Sequence, residues 1–250
     1  MEDINGVDGV IKRMMKLSLL IPVYNESNTL PRVLDKLDRL NLPAAELEMI
    51  FVDDASTDGS DRILKEYQVA GKNVQVVRHE QNRGKGAAIR TALNLASGDV
   101  VLIQDADLEY DPEDIPALLE PIRAGRADVV FGSRNLMNNP RYSRLYYWGN
   151  LLLNVSVFLL YGKYVSDMET CYKMMRRNIL VGLDLQSNGF DIEPEITAKL
   201  LRSARPIAEL PIRYHPRTRK EGKKITAWDG VRALWALLKW RLVAIPQMKK

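Results

Sequence analysis

Hydrophobic and polar positions in the first half of the chain switch repeatedly between two periods. "LSLLIPVYNE", from Leu17, is a nearly unbroken apolar run ending at Pro22 and polar residues, the pattern of a strand buried on both faces. In "SNTLPRVLDKLDRL" the period changes: Leu30, Val33, Leu34, Leu37 and Leu40 recur at helical spacing, with Pro31 early in the segment. The exchange then repeats. "LEMIFVDDAS" predicts a second strand, "TDGSDRILKEYQVA" a capped helix and "VQVVRH" a third strand. "NRGKGAAIRTALNLA" is a glycine-bearing loop running into a helix, and "DVVLIQ" is the fourth strand. "DPEDIPALLEPI" is a helix with Asp111 as N-cap and Pro112 at its first position, and "ADVVFGSR" is the fifth strand. Strands separated by helices of roughly ten residues imply βαβ units and a mostly parallel sheet. Residues 1–133 therefore read as a nucleotide-binding α/β layer.

Beyond Arg134 the alternation loosens. A loop with Asn138, Asn139 and Pro140 leads to a mainly apolar helix from about Tyr146. "DMETCYKMMRR", "GFDIEPEITAKLL", a strand "IAELPIRYH", a basic loop and a final helix follow. At about 100° per residue, Trp228, Val231, Leu234, Trp235, Leu238, Leu242 and Ile245 of that helix form one apolar stripe. Arg232 and Lys239 border one side and Arg241 the other, which suits a helix lying on a membrane or one packed on the domain or a partner subunit. The expected division is a disordered segment 1–15, one α/β domain 16–226, and a C-terminal amphipathic helix with a basic tail, 227–250.

Composition narrows the class. Of 250 residues, 46% are apolar and 27% charged, so a packed core is expected. The net charge of +4 is too diffuse to indicate nucleic acid, and aromatics are not interleaved with the basic loop as a base-stacking platform requires. Cys171 is the only cysteine, which excludes an intrachain disulfide, argues against a thiolate zinc site, and fits a reducing, cytoplasmic setting. "MEDINGVDGVIKRMM" has no apolar secretory core, and "LLLNVSVFLLYG" is short and interrupted by Asn154 and Ser156. A soluble or peripheral protein at the cytoplasmic membrane face is the expectation.

The candidate chemistry sits where strands end. Glu26, then Asp53 with Asp54, then Asp105 with Asp107 follow three separate strands. Each acid has a plain reading as a cap or turn residue, and Asp54 and Asp58 are read that way. Residues two apart on an extended segment share a face, however, and the exits of a parallel sheet share an edge where ligands bind. Acids gathered there build a negative cleft that calls for a cation. Mg²⁺ or Mn²⁺ carrying a diphosphate is the natural occupant, bound by one or two carboxylates, phosphate oxygens and water. "NRGKGAAIR" lacks the P-loop spacing; Lys85 there is read as capping a tight loop and stays outside the main candidate set.

In order, "IPVYNE", "VDDASTDGS", "NRGKGAAIRTAL", "SGDVVLIQDADLEYDPEDIP" and "GSRN" resemble glycosyltransferase family 2, nearest to the dolichol- and polyprenyl-phosphate sugar synthases. The resemblance spans roughly residues 16 to 226. It implies a GT-A fold, a Rossmann-like, mostly parallel sheet flanked by helices. It also implies metal-dependent, inverting transfer of a sugar, mannose or glucose, from GDP-mannose or a UDP-sugar to a polyprenyl or dolichyl phosphate. Matched by motif, Pro22, Tyr24, Glu26, Phe51 and Asp53 would hold base and ribose. Asp105, Ala106 and Asp107 match the metal- and diphosphate-binding DXD segment, with Asp107 the indispensable ligand. Glu109 stands as a further metal ligand or as an exposed acid at the start of a helix. Arg134 matches an arginine facing donor or acceptor phosphates, with Arg141 and Arg144 nearby. The resemblance also sets the loop of Lys85 near the donor, which gives an approach to phosphate as its alternative reading. Arg217, Gly222 and Lys223 fit a cationic loop over the diphosphate, in a register that can slip by one to Lys224.

The acceptor decides whether a base is needed. Asp167, Glu169, Glu193 and Glu195 all lie where inverting relatives place a carboxylate that deprotonates an acceptor hydroxyl. A lipid phosphate, with a second pKa of about 6, is already largely a dianion and needs none. Glu195 is thus a base only if the acceptor is a soluble sugar or a protein, and otherwise sits near a helix N-terminus as a structural acid. A non-catalytic nucleotide-sugar binding module is a third reading, opposed by the intact acids of all three motifs. Nucleotidyl transfer lacks its glycine-rich loop after the first strand.

Overall fold

The computed structural model describes residues 14–43, 45–70, 73–140, 144–218, 222 and 224–245. The expected disorder of the N-terminal segment, Arg141, Lys223 and most of the basic tail lie outside the described residues.

The apolar runs form the strands β1 (Met15–Val23), β2 (Ala45–Asp53), β3 (Val74–Arg78), β4 (Val100–Ile103) and β5 (Val129–Ser133). Between them stand α1 (Leu30–Asp38), α2 (Ser60–Ala70), α3 (Lys85–Leu95) and α4 (Ile115–Arg123). The helical stripe of α1 is the one its spacing predicts: Leu30, Val33, Leu34 and Leu37 are buried, and Pro31 sits in the first turn. Asp111 accepts the Glu113 amide ahead of α4. The second half adds α5 (Arg144–Tyr161), β6 (Lys173–Arg176), α6 (Arg177–Gly182), α7 (Ile192–Arg202), β7 (Ala208–Pro211) and α8 (Ala227–Leu242).

The seven strands form one sheet in the order β3-β2-β1-β4-β6-β5-β7. Neighbours are parallel except β6, which runs antiparallel to both β4 and β5. β6 is four residues long, with only Met174 and Met175 apolar between Lys173, which is buried, and Arg176, so no alternation marks it as a strand. Leu17, Leu19, Leu20, Ile21, Ile50, Val52 and Val100 to Ile103 are sealed from solvent between the helical layers, a Rossmann-like arrangement.

Of the stripe singled out in the sequence, only Leu234, and Ile245 just beyond α8, pack against the core. Ala233, Ala236, Leu237 and Trp240 are buried against α7 and α5, whereas Trp228, Val231, Trp235, Leu238 and Leu242 face outward. Ala233 and Ala236 let the helix approach closely, and Leu237 and Trp240 fill the seam. α5 also carries an outward apolar face, with Trp148, Leu152, Val155, Phe158 and Leu159 exposed.

Candidate functional site

β1, β2 and β4 end on one edge of the sheet, and antiparallel β6 begins there. Chain order reverses between β1 and β4, the place where open α/β sheets leave a crevice. A cleft of about 1010 Å³ opens at this edge, running from Pro22, Tyr24 and Glu26 past Asp105 to Asp107 and on to the walls of α5 and α8.

Every acid on the rim meets a cation from elsewhere in the chain. Lys85, first residue of α3, bridges Asp105 at 2.8 Å and Glu193 of α7 at 2.7 Å. Arg217 donates to Asp107 at 2.7 Å and to Glu26 at 2.9 Å. Lys224 reaches Glu26 at 2.7 Å and also donates to the Tyr24 carbonyl. Thr29 ties the first and fourth strand exits together by donating to Glu26 and to the Ala106 carbonyl. These contacts shape the titration. Burial, with the like charges of Asp105 and Glu109, pushes the Asp107 carboxyl up to about 7 against the pull of Arg217. Burial opposes the Lys85 charge, but Asp105 and Glu193 hold its ammonium well above the usual range.

The donor set suits a hard divalent cation. Two aspartates one residue apart line the cleft and supply carboxylate oxygens, the ligands Mg²⁺ and Mn²⁺ prefer. Burial first, and then the negative charge of Asp105 and Glu109, lift the Asp107 carboxyl, and the charge part is what such an ion relieves. Among the described residues no three acidic, histidine or cysteine side chains form a ready-made cluster that could hold a metal ion.

Behind this rim lies a floor of buried charge. Arg134 follows β5, donates through Nε and Nη2 to Asp167 at 2.7 Å each, and stacks 5.0 Å from the Tyr214 ring. Lys173 donates to the Met168 and Thr170 carbonyls; burial pushes its ammonium down to about 8 despite nearby Glu193 and Glu169. Burial and Glu193 push the Glu169 carboxyl up to about 7.

The cleft gathers most of the residues picked out by sequence. Pro22, Tyr24, Glu26, Asp105, Ala106, Asp107, Glu109, Arg134 and Arg217 all line it. Three expectations need correction. Phe51 is fully buried and meets Tyr67 edge-on at 5.8 Å, so it is core and does not line the cleft. Asp53, 1% exposed, accepts the Ser56 amide and pairs with Arg78, shaping the loop after β2 behind the cleft wall. Glu195 is fully buried, accepts the Gln186 and Ser187 amides, and is ion-paired with Lys199 at 2.5 Å, so it is no base for a substrate in the cleft. Glu109 lines the cleft, yet its oxygens accept the Tyr214 hydroxyl and the Arg217 amide, which makes it an anchor for the basic loop. Lys223 lies outside the described residues, and Lys224 is the lysine seen on the cleft. Asp54 keeps its loop-forming role: it accepts the Arg83 and Gly84 amides and meets His79.

Lys85 is the chief residue that sequence reasoning left outside the main set. Its signal was position: a lysine at the first turn of a helix whose loop, Gly84 and Gly86, packs against the backbone at Ser187 to Gly189.

The glycosyl transferase family 2 model matches residues 18–182. The dolichol-phosphate mannosyltransferase of Pyrococcus furiosus is 31% identical over 235 residues, covering 90% of this chain, and this chain spans only 64% of that protein's length. The undecaprenyl-phosphate mannosyltransferase of Micrococcus luteus is 30% identical over 250 residues, covering 91% of this chain and 99% of its own. Among solved structures, glucosyl-3-phosphoglycerate synthase from Mycobacterium tuberculosis in complex with Mn²⁺, uridine diphosphate and glucosyl-3-phosphoglycerate superposes with a TM-score of 0.69. At 21% identity, over 92% of this chain and 81% of that one, the likeness is one of fold.

Proposed function

The chain belongs to glycosyl transferase family 2, and from that premise we propose that it moves a sugar from a nucleotide-diphosphate sugar to a polyprenyl phosphate at a membrane surface. The two-ended cleft carries this reading. One end is the cage of Glu26, Asp105, Asp107, Lys85 and Arg217; the other is walled by Leu152, Leu153, Ile225, Val231 and Leu234. A polyprenyl phosphate has the same split, an anionic head on an apolar chain. The curated relatives named above as mannosyltransferases carry dolichol phosphate or undecaprenyl phosphate in their names, which supports that acceptor class.

In this mechanism the nucleotide lies over the exits of β1 and β2, against Pro22, Tyr24 and Glu26, and the diphosphate lies at the exit of β4. Asp105 and Asp107 would hold a Mg²⁺ or Mn²⁺ ion, which when bound supplies Lewis-acid charge to the diphosphate. Arg217 and Lys224, which reach Glu26 from the basic loop, offset the charge of the departing nucleoside diphosphate. Arg134, held in orientation by Asp167, positions the acceptor phosphate. A phosphate oxygen attacks the anomeric carbon, the bond to the diphosphate oxygen breaks, and the configuration inverts. No proton need be removed, because the phosphate is largely a dianion near neutral pH. The enclosed position of Glu195 weighs against the soluble-acceptor reading that relied on it.

Membrane contact belongs to the same proposal. The exposed faces of α5 and α8 border the apolar end of the cleft, and Arg232, Lys239 and Arg241 flank the α8 face. Cations beside interfacial tryptophans suit an anionic leaflet. Among the described residues no helix is long and apolar enough to cross a membrane.

The test supplies radiolabelled GDP-mannose or UDP-glucose, Mn²⁺, and undecaprenyl or dolichyl phosphate in vesicles. Label is expected in the organic-extractable lipid, and is lost with EDTA or in Asp107→Ala. Transfer confined to water-soluble acceptors, or turnover indifferent to EDTA, overturns the proposal.

A further inference from the structure

The nucleotide and diphosphate positions leave a direction for the transferred sugar. Along the sheet edge, β2 and β1 come first, then β4, then β6. A donor with its base over β1 and β2 and its diphosphate over β4 extends its sugar towards β6. The antiparallel register Leu102↔Met174 sets the segment leading into β6, Glu169 to Tyr172, beside the segment leaving β4. Two contacts hold it there: the Tyr172 hydroxyl donates to Gln104 at 2.6 Å, and the Cys171 thiol donates to the Ile103 carbonyl.

This part of the cleft is lined by Glu169, Phe190 and Glu193 beside Asp105 and Lys85. Glu169 Oε1 is buried and has no hydrogen-bond partner among the described residues. The Glu193 side chain is 4% exposed and paired through Oε1 with Lys85. Glu169, whose carboxyl is pushed up to about 7, accepts through an open oxygen and donates when protonated, while Glu193, ion-paired with Lys85, only accepts, so the pair calls for a ligand rich in hydroxyls, which do both. Phe190 adds an aromatic face of the kind against which the C–H face of a pyranose packs. Acceptors beside an aromatic ring fit a sugar better than they fit phosphate or a nucleobase.

We propose that Glu169 and Glu193, with Phe190, form the subsite that reads the donor sugar, and that they restrict it to hydroxyl-bearing sugars without a carboxylate. The inference rests on the proposed glycosyl transfer and goes further by naming the sugar class. Its physical basis is twofold. Sugar hydroxyls satisfy Glu169 Oε1, which is otherwise buried without a hydrogen-bond partner among the described residues. A uronate adds a further anion to Asp105, Glu169 and Glu193, where the nearby cations are already engaged: Lys85 by Asp105 and Glu193, Arg134 by Asp167, and Lys173 by the Met168 and Thr170 carbonyls. Glu193 also fixes Lys85, so it orients the diphosphate side of the cage as well as the sugar.

Calorimetric titration with Mn²⁺ tests this in the full chain without turnover. The probes are UDP and GDP, then UDP-glucose against UDP-glucuronate and GDP-mannose against GDP-mannuronate. Wild type should bind the neutral nucleotide sugar at least about tenfold tighter than its uronate counterpart. Glu169→Gln should leave affinity for the bare nucleotide within about twofold while weakening the neutral nucleotide sugar about 10- to 100-fold, and it should narrow the gap to the uronate. Glu193→Gln should weaken both classes, because it also releases Lys85. The inference is overturned if Glu169→Gln binds every probe as wild type does, or loses nucleotide and nucleotide sugar equally. It is also overturned if the variant keeps all affinities and loses only kcat, which would make Glu169 a catalytic base. Failure of wild type to bind any nucleotide would instead remove the glycosyl-transfer reading, and the inference with it.

Discussion

Glu195→Gln separates a structural acid from a catalytic one. Glu195 is fully buried, and Lys199, its partner one helical turn on, is 1% exposed. The carboxylate takes three donors: the Gln186 amide at 2.9 Å, the Ser187 amide at 2.7 Å and the Lys199 ammonium at 2.5 Å. A glutamine of the same shape offers one acceptor oxygen and turns an NH₂ towards donors that cannot receive it. Lys199 keeps the Asp184 carbonyl at 2.7 Å and the Trp240 ring at 3.8 Å, which soften the loss without replacing the charge. Removing one partner of a buried ion pair costs about 3–5 kcal/mol. For a domain of this size each kcal/mol moves Tm by about 2–4 °C, so a fall of about 6–20 °C is expected.

Thermal unfolding followed by circular dichroism gives the Tm, and kcat is measured well below the transition of the variant. There kcat should stay within about threefold of wild type, because Glu195 contributes no atom to the cleft lining. Replacing both partners, Glu195→Leu with Lys199→Met, should recover part of the lost stability, since an apolar pair leaves no charge stranded. The reasoning is refuted if Glu195→Gln keeps the wild-type Tm and loses kcat a hundredfold or more. That result would make Glu195 a base and return the acceptor to the alcohol class.

Two further outcomes follow from local geometry. In Gly86→Ala the new Cβ would lie 3.0 Å from the Asn188 carbonyl carbon and nearer still to the Ser187 carbonyl oxygen, both backbone, so the start of α3 must shift. A loss of about 1–3 kcal/mol in chemical denaturation is expected, with weaker nucleotide-sugar binding because Lys85 moves too; unchanged values for both would contradict the packing. Glu48 gives a pH dependence. Burial would raise its carboxyl, but the Ser18 hydroxyl, the Ser97 amide and hydroxyl, and Lys16 outweigh it and hold the pKa down from 4.5 to about 2. A depressed folded-state pKa contributes stability that is complete above about pH 4.5 and lost as pH falls towards 2. Urea midpoints should therefore fall more steeply over that interval in wild type than in Glu48→Gln, and parallel curves would refute the assignment.

What the sequence made legible follows from the range of the interactions involved. The strands and helices of the first half are written in local periods, so β1 to β5 and α1 to α4 stand close to where the pattern puts them. Asp105 and Asp107 were legible as cleft residues because the exit of a strand puts them at the sheet edge, although β4 ends at Ile103 and the chain bends through them rather than running on extended. β6 was not, because a four-residue strand with buried Lys173 becomes a strand only through its antiparallel neighbours. The cations pose the same difficulty more sharply. Arg217 meets Glu26 from 191 residues away, and Lys85 meets Asp105 from 20. The place of Lys85 at the start of α3 sets it only weakly apart from a solvated loop lysine, and nothing local tells Lys224 from Lys223. Glu195 was legible only as two alternatives, a base or a structural acid at the start of a helix, and it is the fold placing Lys199 on it that decides for the second. Charge type and spacing thus foretell where acids gather, whereas which cation neutralises each of them is a property of the tertiary structure. Electrostatic partners are the part of this site that a one-dimensional pattern carries least, and Arg217 and Lys224 supply most of the charge proposed to meet the leaving group.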